Sequence, residues 1–439
     1  MRIFIGVVEV AGYYSKTAAA LRDHGHKVSF LNLSPNPFAY VDTAANGLAK
    51  RISDWCGKLA VRRGEAFWRL LIWKFFNTIA GPLLLPWAFL NHDWFIFTFG
   101  TSLLPWHWDV PLLRWGGKRV LFIFHGSDSR PPYLDAGGVW KSPGIRRTLS
   151  ETAGLTKSRK ALVRRIDCYA DWVVDNPFSA HFHERKILSW YAIGMPCAQA
   201  DDIPEEPVGT VIRILHAPSA PLVKGTLRIA EAVRNAAAQN PGLELVTITG
   251  RPHAEVLHAI RSCHFVVDQL YSDTPLATFA GEAAGCGRPS IVCGYGWNDS
   301  WLKFSGLPEW PSCVCHEKDL EAAILRMARD KSLRESVARA GQRLVTAWSP
   351  DQVAIRICRI FGDDIPADWY FSPEDIPVFY SGGGLPEALA ADTVRQMLEI
   401  FGVESLQLGD KPGIEAMAVA FAEREATALT PHRANAAAT

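Results

Sequence analysis

The sequence predicts an α/β protein of two domains, each on an open, mostly parallel sheet, with an appendage at the end. Three observations carry this prediction. A strand–helix rhythm runs twice along the chain, an acid- and proline-rich break separates the runs, and the composition changes after residue 365. At 439 residues the chain exceeds what one core usually organises, so two compact domains fit its length.

The first run opens with an apolar stretch from Ile3 to Val10, a turn at Gly12, a helix closed by Gly25 and the strand "KVSFLNL". This is a βαβ unit. "WFIFTFG" after Asp93 and the later "KRVLFIFHGSD" are apolar, aromatic runs ending in glycine-containing loops. Such runs suit strands buried on both faces. "DWVVDNPFS" (171–179) is a further short strand, stopped by Asn-Pro because proline lacks the next donor.

These elements make a first domain over residues 1–199. "ADDIPEEPVG" (200–209) has no apolar period and reads as a linker over 200–210. The rhythm restarts over 211–365 with "VIRILH", "LELVTIT", "HFVVDQL" and "PSIVCG", each followed by a helical pattern. Three helices close this domain: "LEAAILRMARD", "LRESVARAGQRLVTAW" and "SPDQVAIRICRIF". Residues 366–439 form an acidic extension with two helices, and its last ten residues are expected to be disordered.

Hydrophobic residues make up 48% and charged residues 21%, which argues against a disordered chain or a multispanning membrane protein. The net charge of +1 hides an asymmetry. Seven bases lie between Lys50 and Lys74 against Asp54 and Glu65, and a second basic stretch runs from Arg146 to Arg165. This points to an anionic surface or ligand for the first half, or to solvated faces, but not to nucleic acid.

Residues 75–91 are uncharged, yet Gly81, Pro82 and Pro86 and the short length exclude a spanning helix. An interfacial segment on an anionic membrane, using residues 50–91, and a helix covering a sheet both remain open. The nine scattered cysteines suit free thiols in a reducing compartment, and "MRIFIGVVEV" lacks the order of a signal peptide. The expected location is the cytoplasm, including the inner face of its membrane. Cys313, Cys315 and His316 lack a second ligand pair, so no metal is expected.

In open α/β sheets ligands gather at the carboxyl ends of strands, so the turns there carry the candidate chemistry. "ILHAPSAPLVKGTLRIAEAV" (214–233) holds His216 and Ser219, and places Lys224 and Gly225 at a helix start, where free N–H groups attract phosphate. "YSDTPLATFAGEAAGCGRP" (271–289) repeats the device, with Asp273, Thr274 as the expected N-cap and Glu282 as the lone acid of a helix of about ten residues. A carboxylate there could accept ribose hydroxyls. "FIFHGSDSR" sets His125 and Asp128 after a strand, suited to orienting a sugar hydroxyl or moving a proton. The alternative is a capped turn in which Asp128 binds backbone amides.

"FHGSD", "HAPS" followed by "KGT", "VDQL", "AGEAAGCGRPSIV" and the late "LRESVARAGQRLV…WSPDQVAIRI" together resemble the GT-B class of nucleotide-sugar glycosyltransferases, notably bacterial family-1 and family-4-like members. The resemblance covers residues 1–362. It implies two Rossmann-like domains facing a cleft, and a UDP- or GDP-type sugar as co-substrate with no further cofactor. The sugar would pass to a glycan or lipid-linked acceptor. By motif position Lys224 is similar to the diphosphate-binding lysine, Glu282 to the ribose-binding glutamate and His125 to the histidine beside the donor sugar. Gly12 falls where the first loop approaches the donor.

Two positions depart from the family pattern: Thr274 stands where retaining members carry a second glutamate, and Ser219 where they carry an arginine. A nucleotide-sugar epimerase of the same fold and a noncatalytic sugar-nucleotide binder are the alternatives.

Overall fold

The computed structural model describes residues 1–32, 81–200, 203, 205–207 and 209–423. The basic run 50–74, residues 75–80 and the final ten residues lie outside the described residues, so the expectations placed on them do too.

The first sheet is built from β1 (Arg2–Val7), β2 (Lys27–Asn32), β3 (Trp94–Thr98), β4 (Arg119–Ile123), β5 (Trp172–Asp175) and β6 (Ile187–Ser189). The second contains β7 (Ile212–His216), β8 (Leu243–Thr247), β9 (Phe265–Val267), β10 (Ser290–Cys293) and β11 (Cys313–Cys315). A last strand, β12 (Tyr370–Phe371), returns from the extension to the first sheet. The orders are β12-β6-β5-β4-β3-β1-β2 and β8-β7-β9-β10-β11. All pairings within these sheets are parallel except β12 with β6.

The expected two-sheet α/β class is therefore the observed one. Apolar runs do become strands covered on both faces: Phe95–Phe97 and Val120–Ile123 are fully buried. The strand order reverses between β1 and β3 and again between β7 and β9. Loops after β1 and after β9 consequently diverge from their sheets and leave room for a ligand.

The halves are fastened by chain segments that cross back. The helix Pro350–Phe361 starts at a Ser349 cap with proline in its first turn, then packs on the first domain's helix Tyr13–Asp23. Phe361 meets Trp94 with ring centroids 4.5 Å apart. The extension makes a second fastening. Tyr295 N–H donates to Ser381 O at 2.8 Å and Gly383 N–H to Tyr271 O at 2.9 Å, both in the second domain. Gly383 O accepts from Ala136 N–H of the first domain at 2.8 Å. A Cβ at Gly383 would stand 2.1 Å from Leu134 O, so only glycine lets the strap lie this close.

The acidic extension also answers the second basic stretch. Asp410 lies 2.8 Å from Lys160, and Asp392 3.8 Å from Arg146. Part of the charge expected to meet an external anion is thus neutralised within the chain. The mechanism is proximity, because the helix Glu387–Phe401 packs against Leu149–Tyr169.

At the end of β5 His183 is buried between Asp167 (Nδ1 to Oδ1, 2.8 Å) and Asp175 (Nε2 to Oδ2, 3.1 Å). Burial works to lower its pKa, but the two carboxylates outweigh it and raise the group to about 9. A folded pKa above the unfolded value near 6.5 gives stability that is complete below that value and lost as pH rises through 9. Replacing His183→Gln should accordingly cost most at pH 6 and progressively less toward pH 9.5, read as urea midpoints across that range. A cost that does not change with pH would show that the ring is neutral in the fold.

Candidate active site

The carboxyl ends of both sheets open onto a cleft of about 310 Å³. Val10, Ala11, Tyr13 and Lys16 reach it from the loop and helix after β1, and His125 from the loop after β4. Gln269, Asp273, Thr274, Thr278 and Glu282 reach it from the second domain, with His253 and Arg261 on the helix after β8.

His125 owes its position to two buried partners. Its backbone N–H donates to Asp128 Oδ1 at 2.8 Å, so the capped-turn alternative for Asp128 is the observed role. Asp128 is buried beneath the loop and does not line the cleft, and burial together with Asp175 pushes its carboxyl up to about 7. The Tyr14 hydroxyl lies 3.1 Å from Ile123 O and 2.7 Å from His125 Nε2. A carbonyl can only accept, so both contacts are satisfied when the hydroxyl donates to Ile123 and accepts from Nε2–H. Burial lowers the imidazole pKa to about 3, leaving it neutral near pH 7 with Nδ1 as an acceptor.

The first helix start is closed to ligands. Gly12 adopts φ +79° and begins the helix Tyr13–Asp23, but the Tyr14 and Ser15 amides donate to Glu9 at 3.1 and 2.8 Å. Lys16, one turn in, faces the cleft instead. Neither Lys16 nor Arg261 has a carboxylate partner among the described residues.

In the second domain the expected helix is shorter. It spans Thr278–Gly285, preceded by Ala277 without a side-chain cap. Thr274 is thus not the N-cap: its hydroxyl serves the Leu276 amide in the approaching turn, and the backbone becomes helical only afterwards. The uncapped N–H groups at this start adjoin the cleft. Small residues give the close packing that their spacing suggests. A Cβ at Gly281 would be 2.8 Å from Met195 Cε, and one at Gly285 2.4 Å from Ala198 O, so the interdomain crossing lies directly on this helix. Glu282 lines the cleft with Oε1 2.7 Å from His253 Nε2, leaving Oε2 for a ligand.

Four second-domain candidates take other roles. His216 is fully buried, its Nδ1 2.8 Å from Val267 O and its Nε2 2.9 Å from Thr226 Oγ1, so it braces β7 against β9 and the following helix. Ser219 is exposed and does not line the cleft. Asp273 lines the cleft, but its Oδ2 receives Arg130, Asn176 Nδ2 at 3.0 Å and Ser179 Oγ at 2.9 Å, all from the first domain. It is an interdomain anchor.

Lys224 ends a short turn of helix before Gly225, at φ +74°, and its ammonium binds Gln269 Oε1 and Asp268 Oδ1, the latter at 3.3 Å. It stands one side chain behind the cleft wall, and its charge is balanced by a buried carboxylate. Lys224→Ala should therefore destabilise the fold by about 1–3 kcal/mol, since Asp268 is left buried without its cation. A double variant with Asp268→Ala should recover part of that loss in urea denaturation, and full additivity would deny the pairing.

Sequence reasoning did not single out Tyr14, Lys16, His253, Arg261 or Gln269. Gln269 ends an apolar run and was detectable by position. Tyr14 gave no local signal, because its partner lies 111 positions away. Among the described residues no group of three or more His, Cys, Asp or Glu side chains is placed to hold a metal ion, and no helix is long and apolar enough to cross a membrane.

No protein-family model and no curated protein matches the chain. Solved structures that it is similar to include Anabaena Alr3699/HepE in complex with UDP, at 11% identity and TM-score 0.48, over 83% of this chain and 100% of that one. A Listeria monocytogenes protein assigned as a UDP-N-acetylglucosamine 2-epimerase aligns at 13% identity and TM-score 0.45, over 83% and 97%. CalG4, the calicheamicin glycosyltransferase, aligns at 14% and 0.39, over 83% and 99%. None of these likenesses bears on what the cleft of this chain binds.

Proposed function

We propose that the chain binds a nucleoside-diphosphate sugar of the UDP or GDP type in this cleft. In this reading it transfers the glycosyl group to a hydroxyl of a glycan or lipid-linked acceptor. One observation carries the reading: the cations Lys16 and Arg261, without a carboxylate partner among the described residues, an uncapped helix start and an oxygen of Glu282 that His253 leaves open converge on one cleft between two parallel sheets. Cations and free N–H groups suit a diphosphate, and a carboxylate acceptor suits ribose hydroxyls.

In the transfer, the bond from the anomeric carbon to the diphosphate oxygen breaks and the acceptor oxygen bonds to that carbon. The acceptor proton leaves to the departing phosphate or to solvent. Charge accumulates on the diphosphate, where fixed donors stabilise it without needing to reorganise. Neutral His125 offers Nδ1 to a sugar hydroxyl and holds the donor in place.

The test is a thermal-shift panel of nucleoside diphosphates followed by turnover with the matching sugar nucleotide. A ligand at one hundred times its Kd should add about 2.7 kcal/mol of stability. Glu282→Ala should weaken that ligand about tenfold or more, the loss of a charge-assisted hydrogen bond. Absence of any nucleoside-diphosphate stabilisation would overturn the reading. Conversion of the sugar nucleotide without acceptor would replace transfer with epimerisation, and binding without turnover on any donor would leave a noncatalytic binder.

A further inference from the structure

On the outer side of the first sheet two helices lie together, one over residues 81–91 and the other Asp109–Trp115. The first helix meets the segment that leads into the second and the residue that ends it. A Cβ at Gly81 would meet Leu103 O at 1.7 Å, and one at Gly116 would meet the Phe89 ring at 2.3 Å. The first helix buries Gly81 and Ala88 toward the protein, yet Leu83, Trp87 and Leu90, at helical spacing, form a second apolar stripe that faces outward. Beside it stand Trp106, Trp108 and Trp115.

Leu83, Leu90, Trp106 and Trp115 are between 72% and 89% exposed. All four exposed tryptophans among the described residues, Trp87, Trp106, Trp108 and Trp115, lie on these two helices and the turn that leads into the second. Single exposed apolar residues are ordinary, whereas a cluster of this size and kind marks a contact surface. Bases lead the charge beside it. Arg165 stacks over Trp108, its guanidinium carbon 4.2 Å from the ring centroid, with no carboxylate partner among the described residues. Lys118 and Arg2 share Asp93, Arg114 and Arg119 share Asp171, and Arg119 also pairs with Asp363, so with Arg165 five bases face three acids along this edge.

We infer that this face docks on a lipid bilayer carrying anionic head groups, with Leu83, Leu90, Trp106 and Trp115 entering the interface and Arg114, Lys118 and Arg165 meeting lipid phosphates. Indole rings favour the head-group level because they join a large apolar body to one polar N–H, and neighbouring Lys and Arg add attraction to acidic lipid. The inference is independent of the donor chemistry, since no residue of this face lines the cleft.

The experiment is flotation of the full chain with vesicles of phosphatidylcholine alone and of phosphatidylcholine with phosphatidylglycerol. Wild type should float with the mixed vesicles, at least tenfold more than with phosphatidylcholine alone, and 0.5 M salt should reduce that fraction. The variant Leu83→Ser/Trp106→Ser/Trp115→Ser should lose at least tenfold in vesicle partition while keeping its thermal midpoint and its nucleoside-diphosphate shift. Absence of any nucleoside-diphosphate shift in the wild type would count against the cleft reading and leave the docking inference standing. No flotation of wild type, undiminished flotation of the variant, or a wild-type dimer that the variant converts to monomer would overturn the docking face.

Discussion

Arg130→Met is expected to destabilise the protein by about 3–5 kcal/mol, the cost of leaving buried charges without their partner. The Arg130 guanidinium is buried, with Nη1 2.8 Å from Asp135 Oδ1 and Nη2 3.0 Å from Ser179 Oγ while also engaging Asp273. Methionine fills similar volume, so the loss is electrostatic rather than a cavity effect. Among the described residues Asp273 is the only second-domain member of this cluster, so breaking the ion pair also loosens the loop that lines the cleft. Equilibrium urea denaturation should show the lower midpoint, and nucleoside-diphosphate affinity should fall with it. Arg130→Met combined with Asp273→Asn should cost less than the sum of the two, because each removes the same interaction. An unchanged midpoint for Arg130→Met would mean that the domains are held elsewhere, by the strap at Ser381–Gly384 and the returning helix Pro350–Phe361.

Lys16→Met should lower turnover on the matching sugar nucleotide by about 10²-fold, in the range seen when one electrostatic donor to a developing charge is removed. The reason is its position and its lack of a partner. Lys16 lines the cleft with no carboxylate beside it among the described residues, so its charge is available to a diphosphate. The fold should be little affected, since no buried group depends on that ammonium. Steady-state kinetics beside the Lys224→Ala variant separate the two lysines: Lys16→Met should spare the urea midpoint and Lys224→Ala should lower it. Equal turnover for wild type and Lys16→Met would remove the lysine from the site.

Much of the scaffold was legible in the chain. The strands stood out because their apolar runs are local patterns set by burial on both faces, and the punctuating residues, such as Asn-Pro after β5, act through their own covalent geometry. The glycines of "AGEAAG" announced a close approach, and the crossing segment at Met195 and Ala198 is what approaches. The role of each polar group was less legible. Lys224 and Lys16 both sit near helix starts after a strand, and nothing near either in sequence says which stays unpaired. The answer depends on Asp268, 44 positions from Lys224. His216 looked like a ligand group for the same reason and proved to be a brace, because both its partners come from other elements.

By itself, then, the sequence determined the two-fold strand–helix rhythm, the break between its halves and the loops where chemistry could gather, since these follow from periodicity and backbone preference over a few residues. Only the tertiary structure decided which charges face the cleft, which ones cancel across the domain boundary, and that the acidic extension ties both halves together. Electrostatic pairing and burial are set by distance in space, and the residues that meet at Arg130, Asp273 and Gly383 are far apart along the chain.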